Sequence, residues 1–286
     1  MTDALGDQAP TRVIVDNSAF SGSTAGPGWY DSDLKAGYIA NITALMTDGA
    51  RRKATSAAPN AARYDRPDLA AGQLFARELG LPASAVTIRN GAAVEGAREL
   101  GKVHSPTIAS LVERMLLTSD NIVAEMLARQ VALAKGMPGS FAGAAEAIRE
   151  VLVELGLPIE GYGLVDGSGM SHGNRLSAGL LTAIVAKAAS DDAPHLRSLI
   201  TGLPVAAYSG TLYERYRSSS AGAKAAGTVR AKTGTLTGVT ALAGLAVDAK
   251  GRLLAFALMA DQAKDSYQGQ FALDSAAAAI VTCGCP

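Results

Sequence analysis

The sequence predicts an α/β chain of the α+β kind, with helices packed on an antiparallel sheet. Between residues 105 and 189, four stretches carry apolar residues at helical spacing, each with start or stop signals. Between 229 and 260 the pattern changes to strands, with Asp248-Ala249-Lys250-Gly251 as a hairpin turn. A run of small residues then reads as a closing helix. Helices followed by a hairpin sheet and a terminal helix bury their apolar faces by stacking the helices on the sheet.

Taken in order, Arg12-Val13-Ile14-Val15 reads as a short buried strand, and Asp16 to Gly28 as a Gly/Ser-rich loop. Residues 36–47 are mixed and fit either strand or helix. Ala50 to Asn60 reads as loop. Asp68 to Leu79 reads as a helix with Leu69, Leu74 and Phe75 on one side, Val86 to Arg89 as a strand, and Gly91 to Gly101 as loop. Ser105 can cap the next helix, with Pro106 at its first position, where the missing N–H is not needed. Its apolar positions are Ile108, Leu111, Val112, Met115 and Leu116. A second helix follows Asn121, with Val123, Leu127 and Val131 on one face, and ends at Gly136-Met137-Pro138-Gly139. A third covers 141–155, stopped by Gly156 and Pro158. Ser177 caps a fourth with Leu180, Leu181, Ile184 and Val185 as its face. Val229–Leu236, Thr240–Val247 and Arg252–Ala260 read as strands, and Phe271–Val281 as the closing helix. A boundary is expected near residue 104. No internal repeat is visible.

The 286 residues suffice for one large domain or two smaller ones. Hydrophobic residues make up 48% and charged residues 18%, which excludes a disordered chain. Lys+Arg and Asp+Glu are both 26, so nothing predicts nucleic-acid binding, which leans on a basic surface. The best candidate for a membrane span, Thr240 to Ala260, is broken by Asp248, Lys250 and Arg252, so no transmembrane segment is expected. The first residues lack the basic and apolar regions of a signal peptide. Two cysteines, Cys283 and Cys285, can form a small loop or stay reduced, and neither state should stabilise the fold much. The three histidines are scattered and no H-E-x-x-H occurs, so no metal site is expected.

Two tripeptides carry chemistry. Ser119-Asp120-Asn121 sits in a helix-to-helix turn, and Lys232-Thr233-Gly234 inside a strand. Either alone has a plain reading, as a capping turn or as a solvated lysine on an edge strand. Together they fit acyl transfer, which needs a proton relay, charge stabilisation and a substrate anchor. Ser119 can pass a proton toward a leaving amine. Asn121 has the donor and acceptor groups to hold an amide. Lys232 brings positive charge, and Thr233 can donate to a terminal carboxylate. Gly234 leaves the strand bare so that an extended peptide can lie along it, with Thr235 beside it.

S-x-x-K, S-D-N and K-T-G form the signature set of penicillin-binding proteins and class A β-lactamases. Further segments resemble the penicillin-binding protein 4 type of D-alanyl-D-alanine carboxypeptidase/endopeptidase, of low-molecular-mass class C. Asp166-Gly167-Ser168-Gly169-Met170-Ser171 is similar to that family's D-G-S-G-L-S loop, with Met for Leu. Ser209-Gly210-Thr211-Leu212 is similar to its S-G-T-L segment. Asp16-Asn17-Ser18-Ala19-Phe20 with Gly26-Pro27-Gly28-Trp29 is similar to part of its inserted domain. The resemblance implies a transpeptidase/β-lactamase-like domain over 105–286 and the remainder of an inserted domain over 1–104. It implies a serine-type carboxypeptidase that removes the terminal D-alanine from peptidoglycan stem peptides through an acyl-serine, or cleaves their crosslinks. It implies inhibition by β-lactam antibiotics, no cofactor, and a place outside the cytoplasmic membrane, in periplasm or cell wall. Ser119, Asn121 and Lys232 then take catalytic positions, and Thr233, Gly234 and Thr235 substrate-binding ones. Asp166 and Ser168 fall in a loop whose implied role is structural.

The family's S-x-x-K precedes its inserted domain, and this chain begins inside what resembles that domain, so the nucleophile motif is expected to be missing from these residues. One S-x-x-K does occur, Ser32-Asp33-Leu34-Lys35, but Gly37 follows closely and the surroundings resemble the inserted domain. The remaining readings are a non-catalytic peptidoglycan-binding fragment with a preserved cleft, and a serine β-lactamase.

Overall fold

The computed structural model describes residues 10–56, 58, 60–217 and 222–283. The sheet that anchors the molecule is β3 (Val229–Leu236), β4 (Val239–Val247) and β5 (Leu253–Ala260), in that order and antiparallel. Lys232 stands opposite Ala243, and Gly234 opposite Ala241. The β4–β5 turn is tied by Asp248, whose carboxylate accepts from the N–H groups of Lys250 and Arg252 and from the Arg252 guanidinium. The closing helix, Ser266–Thr282, starts five residues before its expected position. Asp265 caps it by accepting from the N–H groups of Tyr267 and Gln268, a start signal that the small-residue run hides. Its Leu273, Ala277 and Val281 pack with Ala231, Leu242 and Phe256 into the main core. Cys283 caps this helix, and Cys285 lies outside the described residues.

The helices before the sheet are α1 (Asp31–Ala36), α2 (Pro67–Glu78), α3 (Ile108–Thr118), α4 (Asn121–Ala134), α5 (Phe141–Glu154), α6 (Ala178–Ala189) and α7 (Arg197–Thr201), with the closing helix as α8. Ser177 caps α6 as expected, accepting from the Leu180 N–H, and α6 packs on β4 and β5. α4 and α5 close on each other through Ala128, Ala132, Ala144 and Ala147.

Several local expectations are corrected. Thr107, not Ser105, caps α3, because its hydroxyl reaches the Ser110 N–H at the start of the helix. The buried face of α4 is Ile122, Glu125, Ala128, Arg129 and Ala132, not the stripe of Val123, Leu127 and Val131, which is only half-buried. α2 buries Ala70, Ala71, Gly72 and Ala76, while Phe75 is exposed. A Cβ on Gly72 would lie 2.7 Å from Ile88 and 2.8 Å from Val15, so small residues let α2 settle on the pair β1 (Arg12–Val15) and β2 (Thr87–Asn90). That pair is parallel, and only Val15 of β1 is buried. Residues 37–47 form neither strand nor helix, yet Ile39, Ala40 and Ile42 are buried. They share a core with Ile122, Phe141 and Met170, so the chain before residue 104 packs directly on α4 and α5. α3 has no buried residue despite its apolar stripe.

Candidate active site

The turn between α3 and α4 is built for projection. Ser119 ends α3 in the left-handed conformation (φ 54°, ψ 49°), which breaks the helix and turns the chain sharply. Asp120 then caps α4, its Oδ1 accepting from the Ile122 and Val123 N–H groups at 3.0 and 3.2 Å. Its other oxygen takes the Arg51 guanidinium at 3.2 Å. The middle residue of the tripeptide therefore fixes the turn, and its neighbours on either side face the cavity. Asn121 Nδ2 donates to the Tyr38 carbonyl at 3.1 Å and touches the Met170 sulfur at 3.3 Å.

β3 supplies the facing wall. Lys232 Nζ donates to Ser119 Oγ at 2.7 Å and to the Thr233 carbonyl at 2.6 Å. Desolvation at this half-buried position pulls the lysine from 10.5 down to about 8. A lysine so lowered can exchange a proton with a hydroxyl beside it near neutral pH. Thr233 Oγ1 donates to Thr211 Oγ1 at 2.9 Å, and Thr235 Oγ1 accepts from Gln270 Nε2 at 3.3 Å. The S-G-T-L segment thus supports the K-T-G strand directly. A side chain on Gly234 would emerge 3.4 Å from the Ala241 Cβ, on the sheet face that bears Lys232. Glycine there leaves the cavity floor open.

One cavity of about 690 Å³ is lined by Ser119, Asn121, Lys232, Thr233, Gly234 and Thr235, so all six candidate site residues meet in one place. Ser168, Gly169 and Met170 form a further wall, and Tyr30, Ser32, Asp33 and Tyr38 another. Asp166 is buried behind its loop. Its carboxylate accepts from Trp29 Nε1, Asn174 Nδ2 and the N–H groups of Gly169 and Ser171, all at 2.7–2.9 Å. Ser32 and Lys35 do lie one turn apart on α1, but Lys35 is exposed and does not line the cavity. Ser23, in a loop with no lysine three residues on, donates to the Ala25 carbonyl, and Ser218, Ser219 and Ser220 lie outside the described residues.

Sequence reasoning missed Tyr30, Tyr38, Thr211 and Glu125 as parts of this arrangement. Thr211 and Trp29 lie within the segments that resemble the family, but nothing in the chain order ties them to Thr233 or Asp166. Glu125 gives no signal of this kind, because a helical face is recognised from its apolar residues. Among the described residues, no group of three His, Cys, Asp or Glu could hold a metal ion, and no helix is long and apolar enough to cross a membrane.

The family model of the D-Ala-D-Ala carboxypeptidase 3 (S13) family matches residues 7–62 and 49–280. The chain belongs to this family. It is 42% identical over 275 residues to carboxypeptidase DacB of Mycolicibacterium smegmatis, covering 96% of this chain and 59% of that protein. It is 32% identical over 201 residues to the D-alanyl-D-alanine carboxypeptidase of Actinomadura sp., covering 66% of this chain and 36% of that one. The fold is that of penicillin binding protein 4 (dacB) from Haemophilus influenzae, with a TM-score of 0.68 at 21% identity over 93% of this chain and 73% of that one. A second structure of that protein, complexed with a β-lactam, matches with a TM-score of 0.63 at 25% identity, over 76% of this chain and 50% of that one. The expected family and the expected helix-on-sheet fold are therefore both found. The chain spans about 59% of the length of the curated relatives it matches first.

Proposed function

We propose that this chain carries the relay and anchor of a serine D-alanyl-D-alanine carboxypeptidase acting on peptidoglycan stem peptides outside the cytoplasmic membrane, and open to acylation by β-lactams. The observation that carries this reading is the 2.7 Å contact between Lys232 Nζ and Ser119 Oγ across a cavity edged by Asn121 and Thr233. In this reading a serine hydroxyl attacks the carbonyl of the penultimate residue, and the amide C–N bond breaks. Ser119 hands a proton to the leaving D-alanine amine and is reprotonated from Lys232, which takes up the proton that the attacking hydroxyl loses. Asn121 holds the substrate amide. Thr233 exchanges its bond to Thr211 for one to the terminal carboxylate, next to the Lys232 charge. Among the described residues, β3 from Lys232 onward pairs with β4 alone, which leaves its other edge for an extended peptide. Water then cleaves the acyl-serine.

Ser32 is not the acyl acceptor in this reading, because Lys35 is exposed and does not line the cavity; the acceptor is supplied by the part of the relatives that this chain does not cover. The division at residue 104 also belongs to the proposal, with residues 1–104 as part of an inserted domain docked on a transpeptidase-like unit at 105–286. The experiment is intact-mass measurement after incubation with a penicillin. The chain alone should stay unmodified, and the chain joined to the N-terminal part of its Mycolicibacterium smegmatis relative should gain one adduct. An adduct on the chain alone that vanishes in Ser32→Ala would overturn the assignment of the acceptor.

A further inference from the structure

We propose that Glu125 is a positioning residue for this site, holding the 166–171 loop as the wall that faces Asn121 and Lys232. The proposal rests on the functional reading above only for what the wall is used for. Glu125 lies one turn after Asn121 on α4 and is fully buried. Its Oε1 accepts from the Gly167 N–H at 3.0 Å and the Ser168 N–H at 2.8 Å. Its Oε2 takes Arg129 Nη1 at 3.3 Å, and the Arg129 guanidinium lies over the Phe141 ring, 4.0 Å from its centroid. A Cβ on Gly167 would stand 2.5 Å from the Ala128 Cβ, so the loop lies directly on the helix and only glycine fits. Asp166 binds the next two available amides, those of Gly169 and Ser171, from the other side. Two carboxylates thus fix four loop amides, and the residues between them line the cavity.

The energetics favour a directed role over simple filling of the core. Desolvation of a buried carboxylate is unfavourable, and it pushes the Glu125 carboxyl above its ordinary range. An apolar residue would fill the same volume without that cost. It would leave the Gly167 and Ser168 N–H groups without an acceptor, and the loop would move to find one. The helix that presents Asn121 therefore also sets the position of the opposing loop, through a side chain four residues away.

The test uses two double variants of the 286-residue chain, so that Arg129 is never left as a buried unpaired charge. E125Q/R129M keeps an acceptor oxygen, and E125A/R129M removes it. Amide hydrogen exchange at Gly167 and Ser168 is compared with that at Leu242 in the sheet core, and affinity is measured for an acetylated peptide ending in D-alanyl-D-alanine. In E125Q/R129M, exchange should stay within about tenfold of wild type and affinity within about threefold. In E125A/R129M, the two loop amides should exchange about 100-fold faster with Leu242 unchanged, and affinity should fall at least about tenfold. The proposal is overturned if E125A/R129M keeps both amides protected, or if both variants lose affinity in step with their urea midpoints. A wild-type chain that fails to bind the peptide would sink the functional reading, while the exchange measurements would still decide whether Glu125 holds the loop.

Discussion

On the strand side of the cavity, Lys232, Thr233 and Gly234 come from one regular element, placed by an eight-pair register with β4. On the loop side, Ser168, Gly169 and Met170 come from an irregular segment that has no ladder and is held by the buried carboxylates of Glu125 and Asp166. A strand places its side chains by backbone pairing alone, so its charged member can be given over to the cavity. A loop at the same depth has to import acceptors for its amides, so its charged supports are committed to structure. Removing a charge should therefore have opposite consequences on the two walls.

The largest effect should come from the loop side. Glu125→Ala strands Arg129 as an unpaired buried cation and should cost about 3–5 kcal/mol in urea unfolding. Lys232→Ala, on the strand side, should move the unfolding free energy by less than about 1 kcal/mol, while weakening a D-alanyl-D-alanine peptide at least about tenfold by calorimetry. If the two variants behaved alike in unfolding, the contrast between the walls would be lost.

The lysine also gives the strand wall a pH signature. Its folded value of about 8 lies below the ordinary 10.5, so between those values the unfolded chain holds a proton that the folded chain has released. Stability should rise with pH across that window, and Lys232→Met should flatten the slope. Affinity for a peptide carboxylate should fall as pH rises through about 8, as the ammonium charge is lost. A Lys232→Arg variant should hold its affinity through this range. The smallest effect concerns the approach to the site. Thr107→Ala should cost about 1 kcal/mol through loss of the α3 cap, and Ser105→Ala should stay within about 0.5 kcal/mol.

The contrast between the walls also explains which parts were legible in the sequence. Lys232-Thr233-Gly234 sits in a strand with its turn signal nearby, and Ser119-Asp120-Asn121 sits between two helices, so both could be read locally. Their meeting at 2.7 Å follows from chemistry that demands a shared cavity. Glu125 and Arg129 were not legible, because a helix face is ordinarily recognised by apolar residues and this one buries a charged pair. Residues 36–47 are ambiguous in the sequence for a related reason. Ile39, Ala40 and Ile42 are buried by docking onto Ile122 and Phe141, a tertiary arrangement that imposes no local period. The cap of α3 was missed by two residues because Ser105, Pro106 and Thr107 all carry start signals, and only geometry decides among them.

The most direct test of the central claim is an NMR titration of the chain with an acetylated peptide ending in D-alanyl-D-alanine, compared with the same peptide amidated at its C-terminus. The account predicts saturable shifts at Ser119, Asn121, Thr233 and Gly234 with the free carboxylate, largely absent with the amide and lost in Lys232→Ala. Equal shifts from both peptides, or shifts that leave those four residues untouched, would contradict it.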